Sequence, residues 1–149
     1  MYQRILIATD GSSLSRQAVD TGIKLAALTG AQVVALKVIP RYPVSYFEGN
    51  SSLSATNKNI AIIEKQWADA ALAVVEAVKA TAEARGVKAK AITKVSDLIA
   101  ESIIAIAKKQ KCDLIVMASH GRRGLKRVLM GSETTHVLTH SHIPVLVLR

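Results

Sequence analysis

Residues 119–135 read SHGRRGLKRVLMGSETT, and the residue types gathered there suggest chemistry before any fold is assigned. Gly121, Gly124 and Gly131 interrupt what would otherwise be a helix, and Arg122, Arg123, Lys126 and Arg127 crowd between them. Gly131 and Ser132 stand at an expected helix start, where the first backbone N–H groups lack intrahelical partners and the dipole favours an anion. Gly131 lets an anion approach the backbone, the Ser132 hydroxyl adds a donor, and Gly121 can turn the chain with positive φ and present a further N–H. The combination suits a phosphate chain. It also suits a glycine-eased turn capped by Ser132, and these residues alone leave both readings open. Neither Gly-x-x-x-x-Gly-Lys-Ser/Thr nor Gly-x-Gly-x-x-Gly occurs, so neither of those phosphate loops is present.

The elements that must position this loop follow from apolar pattern and punctuation. Residues 4–9 (RILIAT) form a short β-type run that stops at Asp10-Gly11-Ser12-Ser13, a cluster of turn formers and helix caps. Leu14, Ala18, Gly22, Leu25 and Ala26 continue at helical spacing, and Gly30 gives a stop. Residues 32–39 are a second strand ended by Pro40, and a Ser/Asn-rich loop with Tyr42, Tyr46 and Phe47 runs to Asn57. A long helix is expected next, with Ile60, Ile63, Trp67, Ala71, Val74 and Val78 on one stripe and Gly86 after its end. Residues 87–95 alternate apolar and lysine, as a strand with one face or edge in water does. Ser96-Asp97 is predicted to cap a helix carrying Ile99, Ile103 and Ile106, whose basic end suits the negative dipole terminus. Residues 113–119 (DLIVMAS) form a continuous apolar strand, expected at the sheet centre, and residues 143–149 form the last one. Five strands alternate with helices and no tight hairpin appears, which predicts an α/β fold: an open five-stranded parallel sheet with helices on both faces. Ligands of such sheets bind beyond the carboxyl ends of the strands, where strand order reverses. If strands one and four are neighbours, Asp10 faces the glycine loop across one crevice.

Length and composition fit this architecture. The chain has 149 residues, the size of one domain spanning 1–149, and is half hydrophobic with few aromatics. Its core must be built from Ala, Val, Leu and Ile, which suits strands covered on both faces. No apolar run reaches a membrane span and residues 1–10 lack a signal-peptide shape, so a cytoplasmic location is expected. The single Cys112 excludes an internal disulfide and reads as a small buried hydrophobe. A net charge of +9 invites a nucleic-acid reading. The cations are dispersed, however, and no basic run is interleaved with aromatics, so nucleic acid is set aside as a partner.

The spaced glycines resemble the universal stress protein family. Its ATP-binding members carry Gly-x-x-Gly, nine residues, then Gly-Ser/Thr, following a strand like DLIVM; here ASHG, the nine residues RRGLKRVLM and GS match at Gly121, Gly131 and Ser132. The first glycine is replaced by Ala118, whose methyl narrows the accessible φ and crowds a ribose. ILIATDGS near the start and HIPVLVLR at the end extend the resemblance over the whole chain. It implies the strand order 3-2-1-4-5 and an adenine-nucleotide ligand, ATP with or without Mg²⁺. It assigns Ala8, Thr9 and Asp10 to the adenosine, with Asp10 placed for ribose or a nucleotide-bound metal. A backbone contact to adenine falls on Val38, and Met117 and Ala118 lie beside ribose and base. The phosphates fall to His120, Gly121, Gly131, Ser132, Glu133 and Thr134, mostly through backbone N–H groups, and the charges of Arg122 and Arg123 beside them are expected to steer the phosphates in. Glu133 either turns its carboxylate outward while its N–H points in, or turns inward to repel the γ-phosphate or hold Mg²⁺.

The remaining candidates read more plainly. His136 and His140 form an i, i+4 pair near His142, but no carboxylate or cysteine follows at ligand spacing. His120 suits a phosphate hydrogen bond as well as a base, and no Gly-x-Ser-x-Gly elbow occurs, so no catalytic residue is assigned. The last strand presents Val145 and Val147 to one face and Leu146 and Leu148 to the other. As an edge it would pair with a second copy, making a homodimer through Ile143 and residues 145–148, as family members commonly do. The expected function is nucleotide-dependent regulation or partner choice in stress response, with any ATP hydrolysis slow. Two alternatives stand beside it: a dimeric interaction protein without a nucleotide, and a slow ATPase or adenylate-processing enzyme.

Overall fold

The structure, a computed structural model, describes residues 1–43, 53–120 and 130–149. Gly121, Arg122, Arg123, Gly124, Lys126 and Arg127, together with Tyr46 and Phe47, lie outside the described residues. The elements run β1 (Arg4–Ala8), α1 (Ser13–Thr29), β2 (Gln32–Ile39), α2 (Leu53–Ala84), β3 (Ala89–Val95), α3 (Ile99–Lys109), β4 (Leu114–Ala118), α4 (Ser132–His140) and β5 (Val145–Leu148). All pairings are parallel and the order is β3-β2-β1-β4-β5, as the resemblance implied.

Alternation along each strand splits the core into two layers. Ile5, Ile7, Val33, Ala35, Leu114 and Val116 face α1 and α2, meeting Ala18, Ile23, Val75 and Val78. Leu6, Val34, Leu36, Ile115 and Met117 face α3 and α4, meeting Ala100, Ile103, Ala107 and Val137. β4 is buried at every position, as a central strand covered on both faces must be. β3 lies at an edge with Lys88, Lys90 and Lys94 exposed, which discourages pairing with another chain. β5 is the other edge; Val145 and Val147 join the α3–α4 layer while Leu146 and Leu148 join the opposite one.

Several expectations shift on contact with tertiary structure. The long helix begins at Leu53 within the predicted loop, and its apolar stripe is used unevenly. Ala71 and Val78 are buried, but Ile60 and Ile63 are only half-covered and Trp67 remains 36% exposed. Length explains this: 32 helical residues extend about 48 Å, whereas the eight residues of β2 reach about 26 Å, so one end overshoots the sheet. Trp67 instead meets Tyr42, ring centroids 5.7 Å apart. Val87 and Lys88 precede β3 rather than starting it, and Val87 turns into the core with its N–H on the Ala82 carbonyl.

Ser96 and Asp97 do not cap α3. Ser96 accepts the Leu98 N–H and Asp97 accepts the Arg41 N–H, so both serve the approach to the helix, whose N-cap is Leu98 without a side-chain bond. Asp113 similarly precedes β4, its two oxygens accepting the N–H groups of Gln3 and Arg4 at 2.8 and 3.0 Å. Cys112 is buried, and burial pushes its thiol up to about 11, so it stays protonated and inert at neutral pH.

Gly22 shows how closely α1 approaches the sheet. A Cβ there would stand 2.6 Å from Ile7 Cδ1 and 2.9 Å from its Cγ1, so the fully buried Ile7 side chain would have to shift within the core. Helix propensity favours replacing the glycine, but overpacking opposes this and grows with side-chain size. Gly22→Val is therefore expected to destabilise the protein by about 1–3 kcal/mol, read as a lower urea midpoint with an unchanged slope.

Candidate functional site

The reversal of strand order lies between β1 and β4, and their carboxyl ends open onto a cavity of about 620 Å³. Ala8, Thr9 and Asp10 enter it from β1, Val38 from β2, and Met117, Ala118 and His120 from β4. Gly131, Ser132, Glu133 and Thr134 close it from the start of α4. Every described residue that the sequence singled out for a ligand therefore lines one cavity; Gly121 and Arg122 lie outside the described residues. The sequence reading missed Ser15, Leu36, Pro40, Ile99 and Ile103. Ile99 and Ile103 were visible only as an i, i+4 apolar pair, a spacing that a purely structural stripe also shows.

The β1 side is held by hydroxyls. The Thr9 N–H continues the ladder to the Leu36 carbonyl, while its hydroxyl meets the Ser15 hydroxyl at 2.9 Å and accepts the Gly11 N–H at 3.2 Å. Ser15 donates onward to the Ser12 carbonyl, and the Ser12 hydroxyl caps α1 by accepting the Ser15 N–H. One Asp10 carboxylate oxygen accepts the Ser12 N–H at 2.9 Å, and the Asp10 carbonyl receives Lys37 Nζ at 3.3 Å. Gly11 supplies the positive φ of +81° that this turn requires.

On the β4 side, the start of α4 is fastened to the strand end. The Gly131 N–H donates to the Ser119 carbonyl at 2.8 Å, and the Thr134 hydroxyl donates to the Ala118 carbonyl at 3.0 Å. The Ser119 hydroxyl meets His120 Nδ1 at 3.0 Å, orienting the imidazole at the cavity edge. Gly131 has an ordinary φ of −70°; its glycine identity answers to closeness, because a Cβ would stand 3.3 Å from the Ser119 carbonyl oxygen. Two expectations are thereby refined. The Gly131 N–H is committed to the protein and the Thr134 side chain to Ala118. The first intrahelical bond of α4 runs from the Thr135 N–H to the Gly131 carbonyl, so the donors of the first turn are those of Ser132, Glu133 and Thr134.

The structure also decides the orientation of Glu133. Its Oε2 accepts the Ala100 N–H at 3.0 Å, placing the carboxylate at the start of α3. Further along the same helix pair, His136 Nε2 lies 3.2 Å from Glu101 Oε1 and His136 stacks on His140 at 4.2 Å. Among the described residues no three His, Cys, Asp or Glu side chains converge as a metal site.

The cavity lining thus combines apolar side chains (Leu36, Val38, Met117, Ile99 and Ile103) with the polar start of α4. The sequence matches the universal stress protein family over residues 1–149. The chain belongs to that family. Universal stress protein MJ0531 of Methanocaldococcus jannaschii is 34% identical over all of this chain and 83% of its own length. Universal stress protein MJ0577 of the same organism is 31% identical over the whole chain and 96% of its own. The solved structure of MJ0577 superposes with a TM-score of 0.81, covering 99% of this chain and 96% of that one. At lower identity the fold recurs in a universal stress protein solved with cAMP (21% identical, TM-score 0.69, 99% of this chain and 97% of that one). It recurs again in the Archaeoglobus fulgidus protein solved with dAMP (14%, TM-score 0.64, covering 99% and 98%). No helix among the described residues is long and apolar enough to cross a membrane.

The Thr134–Ala118 bond gives this arrangement a direct test. Thr134 is buried, and Thr134→Val keeps its shape while stranding the Ala118 carbonyl. Destabilisation of about 1–3 kcal/mol is expected in urea unfolding; a loss below measurement would mean that α4 is not fastened through this hydroxyl.

Proposed function

We propose that this chain binds ATP or a related adenine nucleotide and acts in the cytoplasm as a nucleotide-dependent regulatory or interaction protein in stress response. The observation that carries the reading is the convergence of the α4 N-terminal turn with the ends of β1 and β4 on one cavity of about 620 Å³. That volume suits a nucleotide, and so does the pairing of an apolar lining with an anion-favouring helix start. In this reading the base lies against Val38, Met117, Ile99 and Ile103, and the ribose lies between Asp10 and Ala118. The phosphates point towards the N–H groups of Ser132, Glu133 and Thr134, with His120 and Gly121 assigned to them by the family resemblance and Arg122 by its charge. Related folds solved with cAMP and dAMP support the ligand class. Asp10 and Glu133 already accept backbone N–H groups, so Mg²⁺ would arrive bound to the phosphates, with Asp10 the carboxylate that the family resemblance assigns to it. The sequence carries no recognised phosphoryl-transfer motif that would fix a lysine or a base, so fast turnover is not part of the reading.

Calorimetry with ATP tests the site. Gly131→Val should abolish binding, because its side chain must displace the α4 start from Ser119; Ser132→Ala should weaken it by roughly 0.5–1.5 kcal/mol, one ordinary hydrogen bond. Unchanged ATP affinity in the Gly131 variant would overturn the assignment.

The same reading includes a homodimer through β5. Its support is that β5 is an edge strand with apolar residues on both faces, all four half-buried in the single chain, whereas the β3 edge carries lysines. Val147→Lys is expected to shift sedimentation from dimer towards monomer with the fold retained, and a wild-type chain sedimenting as a monomer at micromolar concentration would refute the dimer.

A further inference from the structure

Glu133 is the acid that a phosphate site has least reason to contain, and its position shows another task. α3 and α4 bring their positive N-terminal ends to the same cavity, with Ile99 of one and Glu133 of the other both in its wall. α3 has no cap of its own: Leu98 stands at its N-cap and makes no side-chain bond. Ala100 is fully buried, so its N–H cannot turn to water and must find an acceptor in the protein. Glu133 Oε2 provides one at 3.0 Å from a different helix. The carboxylate thus does for α3 what a Ser or Asp cap does locally, and it gains from the α3 dipole at the same time.

This cap joins the apolar wall of the cavity to its polar part. Its donor side is the first turn of α3, which carries Ile99 and, one turn on, Ile103, the apolar wall that the sequence reading missed. Its acceptor side is the first turn of α4, whose N–H groups form the polar part. We infer that Glu133 is a positioning residue: by capping α3 from α4 it fixes the apolar wall relative to the anion-favouring start of α4, so the two halves of the ligand are bound at a set separation. It also keeps its charge at the α3 terminus, leaving the α4 dipole to the ligand. The ligand-binding side of this inference rests on the nucleotide reading above; the tether itself does not.

Two substitutions separate the hydrogen bond from the charge. Glu133→Gln keeps an oxygen acceptor and removes the charge, while Glu133→Ala removes both. Hydrogen exchange at the Ala100 amide, in folded protein checked by circular dichroism, should be roughly five-fold faster in Glu133→Ala, the equivalent of one net hydrogen bond. In Glu133→Gln it should return close to the wild-type rate. Adenosine has a flat aromatic base that packs on apolar side chains and has no phosphate, so it reads the wall without the anion contacts. Its affinity should fall roughly two- to tenfold in Glu133→Ala and be restored in Glu133→Gln. ATP should bind Glu133→Gln at least as well as wild type, because a nearby like charge is gone. Unchanged Ala100 exchange in Glu133→Ala overturns the tether, and unchanged adenosine affinity beside faster exchange overturns its positioning role. If the wild-type protein binds neither adenosine nor ATP, the nucleotide reading and the positioning role both fail, while the exchange rates still decide whether the tether exists.

Discussion

Parallel strands cannot be joined by tight turns, and every connection here must cross a face of the sheet through a helix. From β1 the chain steps outward to β2 and β3 with α1 and α2 on one face; it then returns past β1 to β4 and β5 with α3 and α4 on the other. The consequence lies between β1 and β4. The connections leaving these neighbours depart to opposite faces, so neither covers the strand ends between them. The cavity is this uncovered interval, and its lining residues are those that happen to follow or flank the central strands. The site is a product of topology before it is a product of any side chain.

Side chains then determine how firmly the interval is framed. On one rim, the Thr9 and Ser15 hydroxyls close a network with the Gly11 N–H and the Ser12 carbonyl. On the other, Gly131 and Thr134 fasten α4 to the last carbonyls of β4. Thr9, Ser15, Ser119 and Thr134 are all buried, and buried hydroxyls are costly unless paired; no described buried side-chain polar atom lacks a partner. Each bond is modest alone. Together they hold the backbone that a ligand would meet, which leaves less ordering to be done on binding.

Charge placement follows the same economy. An acid at a helix start can turn its carboxylate into the cavity or onto a second helix terminus, whose dipole favours it. Glu133 takes the second course because α3 starts within reach and lacks a cap of its own. Helices α3 and α4 are therefore joined at the cavity by a backbone-directed bond, and further out by the exposed His136–Glu101 pair, which adds little in water.

The sequence by itself determined the strand and helix order, the parallel class, the central place of residues 114–118 and the turn chemistry at Gly11 and Gly30. These are consequences of local periodicity, caps and φ preferences, which act over a few residues. Family resemblance added the strand order and the list of loop residues, and the described ones do converge. What remained illegible was non-local. Ile99 and Ile103 carry the same helical spacing whether they meet a core or a cavity, and only the packing of α3 at the strand ends separates the two. Ser96 and Asp97 have the composition of a cap, yet the acceptor for α3 comes from Glu133, thirty-three residues from Ala100 along the chain. The half-used stripe of α2 depends on helix length against strand length, and the spending of the Gly131 N–H on Ser119 depends on where β4 ends. Such choices are made by buried donors seeking any acceptor within about 3 Å, and the fold alone decides which acceptors those are.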